Sequence, residues 1–210
     1  MNEKKSSFQP IDIAYIAMAV ALMSVCSWIE IPTTVPFTLQ TFAVFLSLIL
    51  LGGARGTMSV LVYILLGAAG APVFSGGSGG LTALFSSSGG YIIGFFFSAL
   101  TIWGVGHLLD HLVTERIRSG MKRTLKKKIL LNLIQGAVLL LGLLICYTFG
   151  TAWFVHVYVG EDGSHVGFLT ALSWCVFPFI LADLAKIALA LFIGSNKALR
   201  NVIAAGTARA

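Results

Sequence analysis

The chain has 210 residues, of which 57% are hydrophobic and only 10% charged, against about 25% charged in an ordinary soluble domain; its mean hydropathy is +0.92. That balance excludes a water-soluble globular domain and implies an integral membrane protein. The net charge of +6 invites a nucleic-acid reading, but every Lys and Arg except Lys186 lies outside the long apolar runs, where membrane topology accounts for them, so no nucleic-acid partner is expected.

Six membrane helices and an all-α fold are expected, each span needing about 20 apolar residues, fewer where protein covers part of it. The first, residues 11–28, lacks a small-residue cleavage signal and is followed by further apolar runs, so it reads as a retained helix rather than a signal peptide. Ala14, Ala17, Ala19 and Ala21 recur along it. The Ala17-x-x-x-Ala21 spacing lets another helix approach closely, with packing inside the chain as the alternative. Pro32 and Pro36, in Glu30-Ile31-Pro32-Thr33-Thr34-Val35-Pro36, stop this helix.

The second helix, residues 39–51, is short for a full crossing, and Gly52-Gly53-Ala54-Arg55-Gly56 makes a tight turn into a third at 55–67. Gly76-Gly77-Ser78-Gly79-Gly80 and Gly89-Gly90 then predict a long irregular segment; a plain surface loop is the alternative. A fourth helix at 90–109, a basic stretch at 110–128 and a fifth helix at 129–149 follow. Beyond a connection holding Glu161 and Asp162, residues 166–176 form a separate helical piece or surface loop, and the sixth helix runs over 178–197 with Pro178 at its first position.

Lys4, Lys5, Arg55, Arg116, Arg118, Lys122, Arg123, Lys126, Lys127, Lys128, Lys197, Arg200 and Arg209 all fall on one side of such a six-span chain. The opposite connections hold no Lys or Arg, only Glu30, Glu161 and Asp162. The positive-inside rule then puts both termini in the cytoplasm and opens the glycine-rich segment outward. The basic stretch serves orientation and contact with anionic lipid.

Asp183 and Lys186 interrupt an otherwise apolar sixth helix. Each charge costs about 2.5–3.5 kcal/mol to insert, so charges persist where they face a bundle interior, a partner or a ligand. Three residues apart, they share a helix face, and Asp183 lies about 8 Å from the helix start, near one membrane face. Irregular backbone at membrane depth must be covered by protein or line a cavity. The pair, the Pro-rich connection with Thr38, Leu39 and Gln40, and the segment ending at Tyr91 therefore define an outward-facing pocket for a small polar molecule with donors and an acceptor. A structural ion pair is the competing reading.

Enzymatic signals are weak. No Gly-Lys dipeptide, hence no P-loop, and no HExxH occur. His107, His111, His156 and His165 lack ligand spacing, so no metal site is expected. Gly77-Ser78-Gly79 lacks the frame of a nucleophile turn. Cys26, Cys146 and Cys175 read as small buried hydrophobes. The chain is expected not to be an enzyme and to need no cofactor.

Several strings, in order, resemble the BioY family: Ile31-Pro32 and Val35-Pro36-Phe37-Thr38-Leu39-Gln40-Thr41; Leu51-Gly52-Gly53-Ala54-Arg55-Gly56; Leu66-Gly67-Ala68-Ala69-Gly70-Ala71-Pro72-Val73-Phe74; Gly89-Gly90-Tyr91-Ile92-Ile93-Gly94-Phe95; and Pro178-Phe179 with Asp183 and Lys186. Members of that family are biotin-binding S components of energy-coupling-factor transporters. The resemblance implies a six-helix cell-membrane protein that captures biotin from outside, energised by two ATPase subunits and by a transmembrane coupling subunit that docks at Ala17 and Ala21. Asp183 would accept hydrogen bonds from the ureido N–H groups, and Lys186 would neutralise it and donate to the ureido oxygen. Tyr91 with Phe74 or Trp174 would cover the apolar parts, while Gln40 and Thr38 would add polar contacts. Ser86-Ser87-Ser88 stands where the family usually has Gly-Pro-Thr. Capture of another small vitamin, or a non-transporting structural or enzymatic membrane subunit, are the other readings.

Overall fold

The structure, a computed structural model, describes residues 9–110, 112, 125–160, 163–196, 198, 199, 201 and 203. Helix α1 spans Pro10–Trp28. Proline suits its first position because the missing N–H would have had no partner there. The Gln9 N–H, otherwise an orphan, donates to the Asp12 carboxylate at 3.0 Å. Past Trp28 the two prolines do more than break the helix. They close a small antiparallel hairpin of β1 (Glu30–Ile31) and β2 (Phe37–Thr38), pairing Glu30 with Thr38 and Ile31 with Phe37. The fold is therefore mostly helical and not wholly so.

Helix α2 (Gln40–Leu51) and helix α3 (Gly53–Ala68) follow, turned at Gly52. A glycine-rich segment carries a 3₁₀ turn at Ser75–Gly77 and the one-turn helix α4 (Leu81–Leu84). Helix α5 runs over Gly89–Leu109. Helix α6 spans Leu125–Val157, well past the end expected near residue 149. Gly150 costs a helix only about 1 kcal/mol and no proline follows it, so nothing stops the helix there. Residues 166–176 form helix α7 (Phe168–Cys175), and Pro178 lies in a 3₁₀ turn, Phe177–Phe179, leading into helix α8, Ile180–Gly194.

Among the described residues four segments are long and apolar enough to cross a membrane: Pro10–Trp28, Gly89–Leu109, Ile129–Val157 and Phe168–Gly194. The 12 residues of α2 and 16 of α3 fall short of that measure, reaching about 18 and 24 Å against a hydrocarbon core of about 30 Å. Helices α1, α2 and α3 pack on one another, α2 also packs on α8, and α5 lies between α3 and α6. Met23, Ala43, Val44, Val60, Tyr63 and Leu139 are among the fully buried residues where they meet. Of the basic residues behind the orientation argument, Lys4, Lys5, Arg116, Arg118, Lys122, Arg123, Lys197, Arg200 and Arg209 lie outside the described residues, as do Glu161 and Asp162.

One contact had no counterpart in the sequence reading. Arg55 Nε lies 2.8 Å from Asp12 Oδ1, and Asp12 is fully buried. This ion pair joins the first turns of α1 and α3.

Candidate ligand-binding site

At the other end of α1 and α3 a cavity of about 190 Å³ opens between the β-hairpin, the glycine-rich segment and helices α5, α6 and α8. That is room for a small molecule and not for a folded partner. Asp183 forms part of its wall and is 4% exposed. Its Oδ1 receives the Lys186 ammonium at 2.8 Å, and its Oδ2 accepts a short hydrogen bond from the Tyr147 hydroxyl. Lys186 in turn donates to the Thr38 carbonyl at 2.6 Å and sits 3.6 Å above the centre of the Phe37 ring. Phe37 itself stacks on Phe179, with ring centres 4.5 Å apart. A buried charge is tolerable only when paired and hydrogen-bonded, and here both members are.

The hairpin matters to this arrangement. Pairing of β1 with β2 fixes the peptide of Thr38, so its carbonyl meets Lys186, while its hydroxyl accepts the Gln40 N–H at 3.2 Å at the start of α2. Gln40 is 4% exposed and lines the cavity, yet its side-chain nitrogen has no hydrogen-bond partner among the described residues. The Tyr63 hydroxyl lies near it without the geometry of a hydrogen bond and spends its own proton on the Val73 carbonyl at 2.8 Å.

The glycine-rich segment is strapped down. The Val73 carbonyl accepts from Ser27 as well as Tyr63, Trp28 donates to the Pro72 carbonyl, and the Gly80 N–H donates to the Gly67 carbonyl. Phe74 is buried to 1% exposure and presses against Gly67, where an added Cβ would meet the ring at 2.0 Å. Gly76 and Gly77 both take positive φ, at 64° and 71°, which glycine alone adopts without strain. The Ser75 hydroxyl then donates to the Glu30 carboxylate through a short hydrogen bond, joining this segment to the hairpin.

Tyr91 lines the cavity from α5, held by a 3.0 Å hydrogen bond with Thr151 and seated over Gly150, where a Cβ would come within 2.2 Å of the ring. Ser86 and Ser88 share a hydrogen bond of 3.0 Å, Ser86 also donates to the Ala83 carbonyl, and Trp153 and the Gly89 N–H both donate to the Ser86 carbonyl. The turn that lacks the family's proline is thus closed by hydrogen bonds.

Of the residues singled out from sequence, Asp183, Tyr91, Gln40, Thr38 and Phe74 meet at this cavity. Lys186 touches it only through Asp183 and is not part of the wall. Trp174 does not reach it: its ring lies edge-on to Tyr158 and is 43% exposed, because on the short α7 its neighbour Cys175 takes the inward position. Tyr147, Phe37 and Phe179 were missed. A tyrosine inside the very apolar fifth run was the available signal, a polar tip that needs a partner once buried. All three cysteines are buried free thiols, and Cys146 and Cys175 line the cavity. Ala17 and Ala21 do not line it and are exposed on α1. No cluster of His, Cys, Asp or Glu fit for a metal exists among the described residues.

The chain is 35% identical over 186 residues to the probable biotin transporter BioY of Pyrococcus horikoshii, an alignment covering 88% of this chain and 94% of that one. It is 36% identical over 174 residues to the biotin transporter BioY of Thermotoga maritima, covering 82% and 87%. The crystal structure of the S-component for biotin from an ECF-type ABC transporter superposes with a TM-score of 0.67 at 26% identity, covering 96% of this chain and 94% of that one. These relatives are transport proteins and not enzymes. The family model for BioY matches residues 1–204, and so the chain belongs to the BioY family.

Proposed function

We propose that the chain captures biotin from outside the cell and passes it inward when docked to a separate energising module. One observation carries the reading: a fully paired carboxylate, Asp183, stands in the wall of a cavity of vitamin size. Biotin's bicyclic head offers two ureido N–H donors and one oxygen acceptor. A carboxylate has about four acceptor sites, and Asp183 uses two of them on Lys186 and Tyr147, which leaves acceptor capacity for those donors. Phe74, Phe179 and the Tyr91 ring supply apolar cover for the thioether ring and the hydrocarbon tail. The names of the relatives support the same ligand.

In this reading α2 and α3 complete a set of six membrane helices in the cell membrane, with both termini cytoplasmic and the cavity opening outward. A transmembrane coupling subunit and two ATPase subunits supply the energy. The coupling subunit lies against the exposed Ala17 and Ala21 of α1, where small side chains permit close helix approach.

The test is thermal unfolding of the detergent-solubilised protein against a panel of vitamins. A ligand that binds only the folded state raises the unfolding temperature with its concentration. Biotin alone is expected to do so, and a folded protein indifferent to biotin would sink the reading. Docking is checked separately with Ala17→Trp, which is expected to block assembly and transport while sparing biotin binding; transport that survived the substitution would count against that face.

A further inference from the structure

We infer that Gln40, and not Lys186, supplies the donor that meets the ureido oxygen of the bound ligand, and that Lys186 acts only by positioning Asp183. The inference rests on the biotin reading above. An ammonium has three donor directions; Lys186 spends two on Asp183 Oδ1 at 2.8 Å and the Thr38 carbonyl at 2.6 Å, and its nitrogen lies against the Phe37 ring, 3.6 Å from the centre. To reach a ligand it would have to abandon one of these inside a buried site and expose the partner left behind. It also forms no part of the cavity wall.

Gln40 has the opposite problem. Its side chain is more than nine-tenths buried, borders the cavity, and carries an amide nitrogen without a hydrogen-bond partner. That nitrogen has two N–H donors, so even a bent approach of one to the Tyr63 oxygen leaves the second free. A buried polar group without a partner is costly and calls for an explanation. A ligand carbonyl oxygen in the cavity answers it. Gln40 stands next but one to Thr38, whose carbonyl holds Lys186. The ureido group would thus meet an acceptor from α8 on one side and a donor from the start of α2 on the other, with the cation kept behind the acceptor.

The test pairs protein variants with ligands altered at the one atom concerned. Affinities for biotin and for 2-thiobiotin, whose sulfur is a poorer acceptor, are measured on wild type and Gln40→Met. Wild type is expected to favour biotin by about 10- to 100-fold, the range of one buried hydrogen bond, and Gln40→Met to lose most of that preference. A second variant guards against misfolding: Gln40→Glu places an acceptor where the donor stood. Its preference is expected to move toward protonated 2-iminobiotin by about tenfold or more, the size of a charge-assisted bond. Biotin binding with the 2-thiobiotin gap intact in Gln40→Met, or an unmoved 2-iminobiotin ratio in a folded Gln40→Glu, overturns the assignment to Gln40 alone. Failure of the wild type to bind biotin overturns the functional reading and this assignment together.

Discussion

Asp12 with Arg55 and Asp183 with Lys186 are two acid–base pairs buried in the same apolar chain, toward opposite ends of its helices. In the first pair the carboxylate is fully enclosed, its two oxygens facing the Gln9 N–H and Arg55, and neither residue lines the cavity that Asp183 borders. In the second the carboxylate is also doubly partnered, yet it forms part of a cavity wall beside an amide that has no partner. Burial of charge therefore does not mark a site. What separates a staple from a binding group here is adjoining space and a neighbouring amide donor, Gln40, that faces it.

Substitutions can break or sharpen that contrast. Asp183→Asn should weaken biotin binding by about 2–5 kcal/mol, read by calorimetry on the solubilised protein, because it removes the charge and leaves Lys186 buried without its counter-ion. Equal affinity in a folded variant would make the two pairs alike. Asp12→Asn should instead lower stability, by about 1–3 kcal/mol, less than a wholly buried pair would lose because Arg55 is partly exposed. Its biotin affinity should stay within about twofold, as the sites are distant; a large loss of affinity would show that the staple reaches the site.

Tyr147→Phe should cost about 1–1.5 kcal/mol of affinity, the net worth of one hydrogen bond, with little change in unfolding temperature. A variant that bound as tightly as wild type would show that Lys186 alone holds the carboxylate in place. Trp174→Ala should change affinity by less than about 0.5 kcal/mol, since its ring faces Tyr158 and not the cavity. A loss comparable to that of Asp183→Asn would return it to the site.

Helix positions and the Asp183–Lys186 pair were legible in sequence because both leave local marks: apolar runs bounded by Pro and Gly, and charges where lipid should exclude them. Asp12 was not, since one acidic residue in the first turn of a helix looks like ordinary capping and its partner Arg55 is 43 positions away in numbering. The end of α6 was placed too early, at residue 149; the helix continues through Gly150, whose lack of a side chain is what admits Tyr91. Trp174 was misassigned because on a short helix after a turn the inward direction depends on packing. The role of Lys186 illustrates a further gap: residue type shows that it can donate three hydrogen bonds, and only geometry shows that two go to Asp183 and Thr38 and that its nitrogen packs on the Phe37 ring.

The bond from Lys186 to the Thr38 carbonyl spans 148 positions of the chain. A membrane protein emerges from its N-terminal end, so the hairpin, Gln40 and the glycine-rich segment are made long before α8 exists. Until that helix arrives, the Thr38 carbonyl lacks its cation and the cavity lacks its carboxylate. The cavity is thus completed late in biogenesis, and a chain truncated before Ile180 would keep Gln40, Phe74 and Tyr91 yet lack the Asp183 carboxylate of its wall.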